Sequence, residues 1–229
     1  MLFVIFCPFH LLPWQLPLPQ RLLKGFTMEN ILISKQQLAH LTQEAESLGA
    51  TSSAIISSSD IQVKDSLAAL CNGEYICPNY GVSANCPPNV EGPVKFRKWL
   101  SQSKYSITVK IELPTSVMFS DERRGVMQIL HQIVAGVEEK AMEMGFKKSK
   151  GFAGGSCKDL FCDDQEKCRV LAENKPCRHM DIARPSMSGF GIDVTLLMKS
   201  SGWAAPKAEK SDLSDKDATS WVAGLIMLA

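Results

Sequence analysis

Four thiols fall within 21 residues of this chain, as Cys157-x4-Cys162-x5-Cys168-x8-Cys177. A second group, Cys71-x5-Cys77-x8-Cys86, lies upstream. Together they hold seven of the eight cysteines; Cys7 lies outside both. Thiolates gathered from short loops are soft ligands, suited to zinc or to the irons of an iron–sulfur cluster. Disulfides more often join distant segments, and a chain of 229 residues can build a core without them. The cysteines therefore read as metal-bound thiolates in a reducing, cytoplasmic setting.

Spacing bears on which metal. Structural zinc sites rest on paired Cys-x2-Cys or Cys-x4-Cys knuckles. Only Cys157 to Cys162 matches such a gap. The wider gaps suit a larger object, and Cys77 and Cys86 are each followed by proline, as the fourth ligand of bacterial ferredoxins is. One or two [4Fe–4S] clusters are the preferred reading, with zinc the alternative. Three upstream thiols can hold a cluster with one iron open, share one site with the downstream thiols, or hold zinc completed by His40, His131 or His179. Arg178 and Arg184 are cations that can stand beside a negative cluster.

Other chemistry is thin. No dinucleotide fingerprint, P-loop, His-Glu-x-x-His or Cys-x3-Cys-x2-Cys run is present, and Gly189-Phe190-Gly191 is too short to be a phosphate loop. The net charge of +1 implies no polyanion partner, so nucleic acid is not expected. The Lys147, Lys148 and Lys150 run reads as a solvated helix end.

These ligands need elements to position them. Residues 1–27 are rich in Leu, Pro and Phe and do not conform to the rest. Prolines at 8, 13, 17 and 19 break the apolar run, so it suits neither an export signal nor a membrane span. Met28 reads as the true start and 1–27 as a misassigned extension, leaving 28–229 as one metal-binding domain. Ser34 with Gln37 forms a capping-box pattern ahead of a helix through Leu38, Leu41, Ala45 and Leu48, closed by Gly49. Ala54–Ser57 is β-prone. Pro93 opens a helix, and Ser106–Leu113 alternates apolar and polar residues as a strand ended by Pro114. Ser120 caps a long helix whose stripe runs through Met127, Leu130, Val134, Val137, Ala141 and Met144 to Gly145. A strand over Lys148–Ala153 leads into Gly154-Gly155-Ser156-Cys157. A helix follows near 193–201, then a polar loop over Lys207–Lys216 and a buried strand over Trp221–Leu228. Alternating strands and helices predict an α/β fold, with α+β as the variant: a parallel or mixed sheet, flanking helices and two cysteine-bearing loops.

Cys77-Pro-Asn-Tyr-Gly, Asn85-Cys86-Pro-Pro-Asn, Gly154-Gly155-Ser156-Cys157, Lys175-Pro-Cys-Arg-His, Ala183-Arg-Pro-Ser-Met and Gly191-Ile-Asp-Val occur in that order. In this the chain resembles the DUF2284 family, bacterial and archaeal proteins labelled as predicted metal-binding. The resemblance runs over about Met28–Leu228, with wider gaps between Cys157, Cys162 and Cys168 than the family pattern. It implies a cytoplasmic, cysteine-rich metal or iron–sulfur protein, with Cys71, Cys77, Cys86, Cys157, Cys162, Cys168 and Cys177 in or beside the matching motifs. The leading functional expectation is electron transfer to a redox partner protein. The alternatives are a zinc-binding structural or interaction protein and an enzyme or activator built on an open-site cluster.

Overall fold

A computed structural model describes residues 28–73, 76–204, 212, 213, 215 and 217–229. The extension 1–27 lies outside these residues, as does most of the 207–216 loop. In chain order the elements are α1 (Met28–Ser47), β1 (Ser52–Ser57), α2 (Asp65–Ala69), α3 (Gly92–Leu100), β2 (Tyr105–Pro114), α4 (Thr115–Met118), α5 (Arg123–Glu143), β3 (Lys150–Phe152), α6 (Cys157–Phe161), α7 (Arg169–Glu173), α8 (Val194–Ser200) and β4 (Thr219–Leu228). The chain divides into two compact units, 1–35 and Gln36–Ala229. Of the first, only the opening of α1 is described. Among the described residues, no helix is long and apolar enough to cross a membrane.

The C-terminal apolar run forms β4, which lies between β2 and β3 in a sheet of order β1-β2-β4-β3. A strand covered on both faces is apolar at successive positions rather than alternating, and Val222, Ala223, Leu225, Ile226, Met227 and Leu228 are all buried. The α/β class with flanking helices stands. Every ladder in the sheet is antiparallel, and the parallel pairing expected from alternating elements is confined to one isolated bridge, Ala153–Ser186. The sheet nonetheless has helices on both faces. α5 and the second half of α1 cover one side, where Leu38, Leu41, Val109, Leu130, Val134 and Ile226 form a core. α3 and α8 cover the other, with Phe96, Phe152, Phe190, Leu197 and Leu225. Phe96 and Phe190 each meet Phe152 at 5.1 Å of ring separation and each other at 5.7 Å, within an aromatic cluster completed by Trp99.

The first half of the polar side of β2 is not solvated, whereas Glu112 further along is exposed. Ser106 and Thr108 are fully buried. Ser58 Oγ lies 2.8 Å from both Ser103 Oγ and Ser106 Oγ, and Thr108 Oγ1 lies 2.7 Å from Ser201 Oγ. Hydroxyls can face a covered layer because each has a partner there. The helix expected to open at Ser34 starts earlier. Ser34 lies inside α1, which begins at Met28, and Gln37 instead donates from Nε2 to Met144 O at 3.1 Å, tying α1 to the end of α5. Ser120 lies just ahead of α5, where its Oγ accepts from Glu122 N at 3.2 Å. Gly49 and Gly145 close their helices at φ of +110° and +106°.

α5 presses directly on β4 at Gly224. A Cβ there would overlap the Val134 side chain and stand 3.0 Å from Val109 Cγ2. Gly224→Ala is therefore expected to destabilise the fold by about 1–3 kcal/mol through overpacking. Urea unfolding would show this as a lower midpoint with an unchanged slope.

Candidate metal centre

The upstream thiols belong to an irregular segment held by its own backbone. Cys77 N donates to Cys71 O, Tyr80 N to Cys77 O, Cys86 N to Ser83 O and Asn89 N to Cys86 O, at 2.9 to 3.3 Å. Prolines 78, 87 and 88 keep the segment out of helix and strand. A neighbouring turn braces it. Gly189 packs against Pro87 and Val90, and a Cβ at that position would come within 3.0 Å of both. That is the role of the Gly189-Phe190-Gly191 run: glycine lets the turn approach the cysteine loop while Phe190 anchors it in the core.

The downstream thiols ride on two five-residue helices. Cys157 opens α6, Cys162 follows its last residue, Cys168 precedes α7, and Cys177 lies in the loop beyond. β3 delivers the chain to this region, and α5 fixes it. Arg124 on α5 pairs with Asp163 and donates to Leu160 O at 3.2 Å. His131, fully buried on α5, has Nε2 at 3.0 Å from Gly154 O, and its Nδ1 accepts from Arg184 N at 3.0 Å. The ring thus carries its proton on Nε2 and bolts the Gly154-Gly155-Ser156-Cys157 turn to the Ala183-Arg184-Pro185 strap. Asn79 joins the two cysteine loops by donating to Asp159 at 2.6 Å.

All four downstream cysteines border one small void of about 20 Å³. Ser83, from the upstream loop, also borders it, as do Lys158, Arg169 and Arg178. Two buried donors there, Ser83 Oγ and Arg169 Nε, have no hydrogen bond of ordinary geometry, although Ser83 lies close enough to Cys157 to favour its thiolate. Orphaned buried donors are costly, and two of them facing a thiol-lined void fit an anionic metal–thiolate group between the sulfurs. The residues present therefore suit the metal that the cysteine pattern implies. Among the described residues, however, no three His, Cys, Asp or Glu side chains converge tightly enough to enclose a single ion.

Cys71, Cys77 and Cys86 form a separate group. They line a different cavity, of about 470 Å³, whose walls include Leu67, Ile192 and Val194. The two groups stay distinct, but Cys86 and Cys157 are both buried and near enough for the charge of one to raise the pKa of the other. Of the histidines considered as ligands, His131 is committed to backbone and His40 is exposed on α1. His179 offers Cys177 its backbone N–H, at 3.4 Å, while its ring lies against Phe161. Arg184 does not face the thiols, since its guanidinium pairs with Glu138 on α5. Arg178 does, bordering the void and favouring the thiolates of Cys162 and Cys168.

The sulfurs are unequal. Burial pushes the Cys157 thiol up to about 11, with Ser83 and Asn85 partly offsetting it. Burial also raises Cys71 and Cys162, helped by the neighbouring thiols. Burial acts on Cys168 as well, but the N–H groups of Ala84, Leu171 and Val170 and the charge of Arg178 outweigh it and hold this thiol below its ordinary value. In metal-free protein, iodoacetamide at about pH 8 is expected to label Cys168 ahead of Cys162, and Cys157 after both. Peptide mass spectrometry over a time course reads that order.

A family model described as predicted metal-binding protein (DUF2284) matches residues 54–227. The chain belongs to this family. The DUF2284 match begins within β1, ends within β4 and contains all seven clustered cysteines. It is shorter than the expected span from Met28, leaving α1 and residues 1–27 outside. No curated protein and no solved structure matches this DUF2284 chain.

Proposed function

We propose that this is an iron–sulfur protein that carries electrons to or from a partner protein in the cytoplasm. One observation carries the reading: Cys157, Cys162, Cys168 and Cys177 border a common void together with two orphaned buried donors. Four thiolates at about 2.3 Å from one zinc ion stand about 3.8 Å from one another. A four-iron cube holds its thiolates further apart than a single ion does, and the wide sequence gaps from Cys162 to Cys168 and from Cys168 to Cys177 suit that larger object. Lys158, Arg169 and Arg178 supply positive charge against the negative charge of a thiolate-bound cluster. When bound, the cluster supplies a one-electron couple. The chain's own residues hold its ligands, donate hydrogen bonds toward the sulfurs and compensate charge, which are the levers that set a cluster's potential. The upstream thiols take a second cluster in this reading, and the electrostatic contact of Cys86 with Cys157 brings the two groups close enough to exchange electrons.

A second reading is favoured by the cavity beside Cys71, Cys77 and Cys86. Three thiolates leave one metal position free, so this end can serve an enzyme or activator that binds a small molecule. Structural zinc is the third reading. Anaerobic purification followed by iron, sulfide and zinc analysis separates them. The expected result is a brown protein, bleached by dithionite, with about four irons and four sulfides per cluster. A colourless protein with about one or two zinc ions per chain overturns the proposal.

A further inference from the structure

Arg123 and Arg124 are neighbours with different fates. Arg124 is locked to Asp163. The Arg123 guanidinium has no ion pair or hydrogen bond among the described residues, and it stands on the wall of the 470 Å³ cavity that the three upstream thiols line. Among the described residues no other lysine or arginine lines that cavity. The acid that lines it among the described residues, Asp193, is already engaged, accepting from Lys64 Nζ at 2.7 Å and from Leu196 N at 3.0 Å. A second polar group on the wall lacks a partner. Ser156 is 5% exposed, and its Oγ is buried and unpaired. Leu67, Ile192 and Val194 make other parts of the wall apolar.

We infer that this cavity binds a small organic carboxylate. Its carboxylate sits on Arg123 and the Ser156 hydroxyl, its apolar body lies on Leu67, Ile192 and Val194, and its place is beside the three upstream thiols. Arginine offers a planar fork of donors matched to a carboxylate. The cavity is within the range of small-molecule sites, and apolar walls with a few convergent polar groups are their usual make-up. An inorganic anion would use the cation and leave the apolar wall wet. The inference deepens the second reading above by naming the class of molecule that would reach the three-thiol end.

The test titrates anaerobically purified, metal-containing protein with benzoate, benzamide and inorganic phosphate at constant ionic strength, with saturation-transfer NMR reading binding. Benzoate is expected to bind at least about tenfold more tightly than benzamide or phosphate, and Arg123→Gln to weaken benzoate by about tenfold or more. Arg124→Gln, beside it but already paired, is expected to leave the affinity within about twofold. Equal binding of benzoate and benzamide, no binding of benzoate, phosphate as strong as benzoate, or an Arg123→Gln protein that binds like the parent overturns the inference. Metal content is measured on the same samples. Benzoate bound through Arg123 in a protein without iron or zinc upholds the cavity and ends the metal reading, while a metal-loaded protein blind to benzoate does the reverse.

Discussion

Cys162→Ser is expected to lose the downstream metal and to melt the segment from Cys157 to Cys177, while the sheet stays folded. α6 and α7 have five residues each, too few to be helical on their own. Most of the segment is exposed or half-buried, and apart from the thiols its side-chain ties are Arg124 to Asp163, Asn79 to Asp159 and donors on Leu160 O and Cys162 O. Metal ligation in small thiolate sites supplies on the order of 10 kcal/mol of folding free energy, so removing one ligand removes the main reason for this loop to keep its shape. The two hydrophobic cores are built from α1, α3, α5, α8 and the strands, and of the downstream segment only Leu160 and, at the edge, Phe161 join them. Metal analysis should therefore show the loss of the downstream site alone. Hydrogen exchange should show rapid labelling over 157–177 against little change in β2 and β4. Full metal content in Cys162→Ser would remove this residue from the ligand set.

His131→Phe is expected to cost about 2–4 kcal/mol and to change the acid response of the fold. The ring is fully buried, and phenylalanine would leave Gly154 O without a donor and Arg184 N without an acceptor, each a loss of about 1–3 kcal/mol. Burial first, and then the charge of Arg184, lower the His131 pKa from an ordinary 6.5 to about 4. The groups facing the ring are Arg184, itself paired with Glu138, and the edge of Phe161. Above about pH 6.5 the imidazole is neutral in both the folded and unfolded states and contributes no slope. Between about 6.5 and 4 the unfolded chain takes up a proton that the folded one refuses. Stability from this residue therefore falls as pH drops through that window, by up to about 3 kcal/mol, and levels off below it. Urea unfolding of both proteins at about pH 7.5 and pH 5 separates this effect from protonation of the thiolates, which both share. The parent should lose more stability than His131→Phe between the two values. Parallel losses would show that His131 is not the acid-sensitive group. His131→Gln, which can keep one of the two hydrogen bonds but does not titrate, should be intermediate in stability at about pH 7.5 and match His131→Phe in its pH response.

Much of the scaffold was legible because its residues answer to local rules. The stripe on α5, the strand ended by Pro114, the helix stops at Gly49 and Gly145 and the apolar C-terminal strand each follow from periodicity or from one residue's backbone preference. The misread elements depended on partners far along the chain. Gln37 follows a serine at capping-box spacing, yet its amide reaches Met144, 107 residues away. Ser106 and Thr108 have the pattern of a solvated face, yet α8 and the turn at Ser58–Asp60 cover them. Strand direction was equally out of reach, because alternating helices and strands do not say on which edge each new strand joins.

At the thiols the division is similar. Seven cysteines in two groups announced a metal protein before any coordinates, since soft ligands crowded into short loops have few other uses in a reducing environment. Ser83, between Cys77 and Cys86, was visible in the same stretch, but nothing local shows that its hydroxyl borders the other group's void. Arg178 and Arg184 look alike beside Cys177; only packing sends one toward the sulfurs and the other to Glu138. The chain alone thus determined which atoms can bind metal, because that is a property of side-chain chemistry and number. Tertiary structure alone decided that the two groups line separate spaces, and that all three upstream thiols share the wall of one cavity of about 470 Å³. Those facts depend on distances between segments that no short-range preference controls.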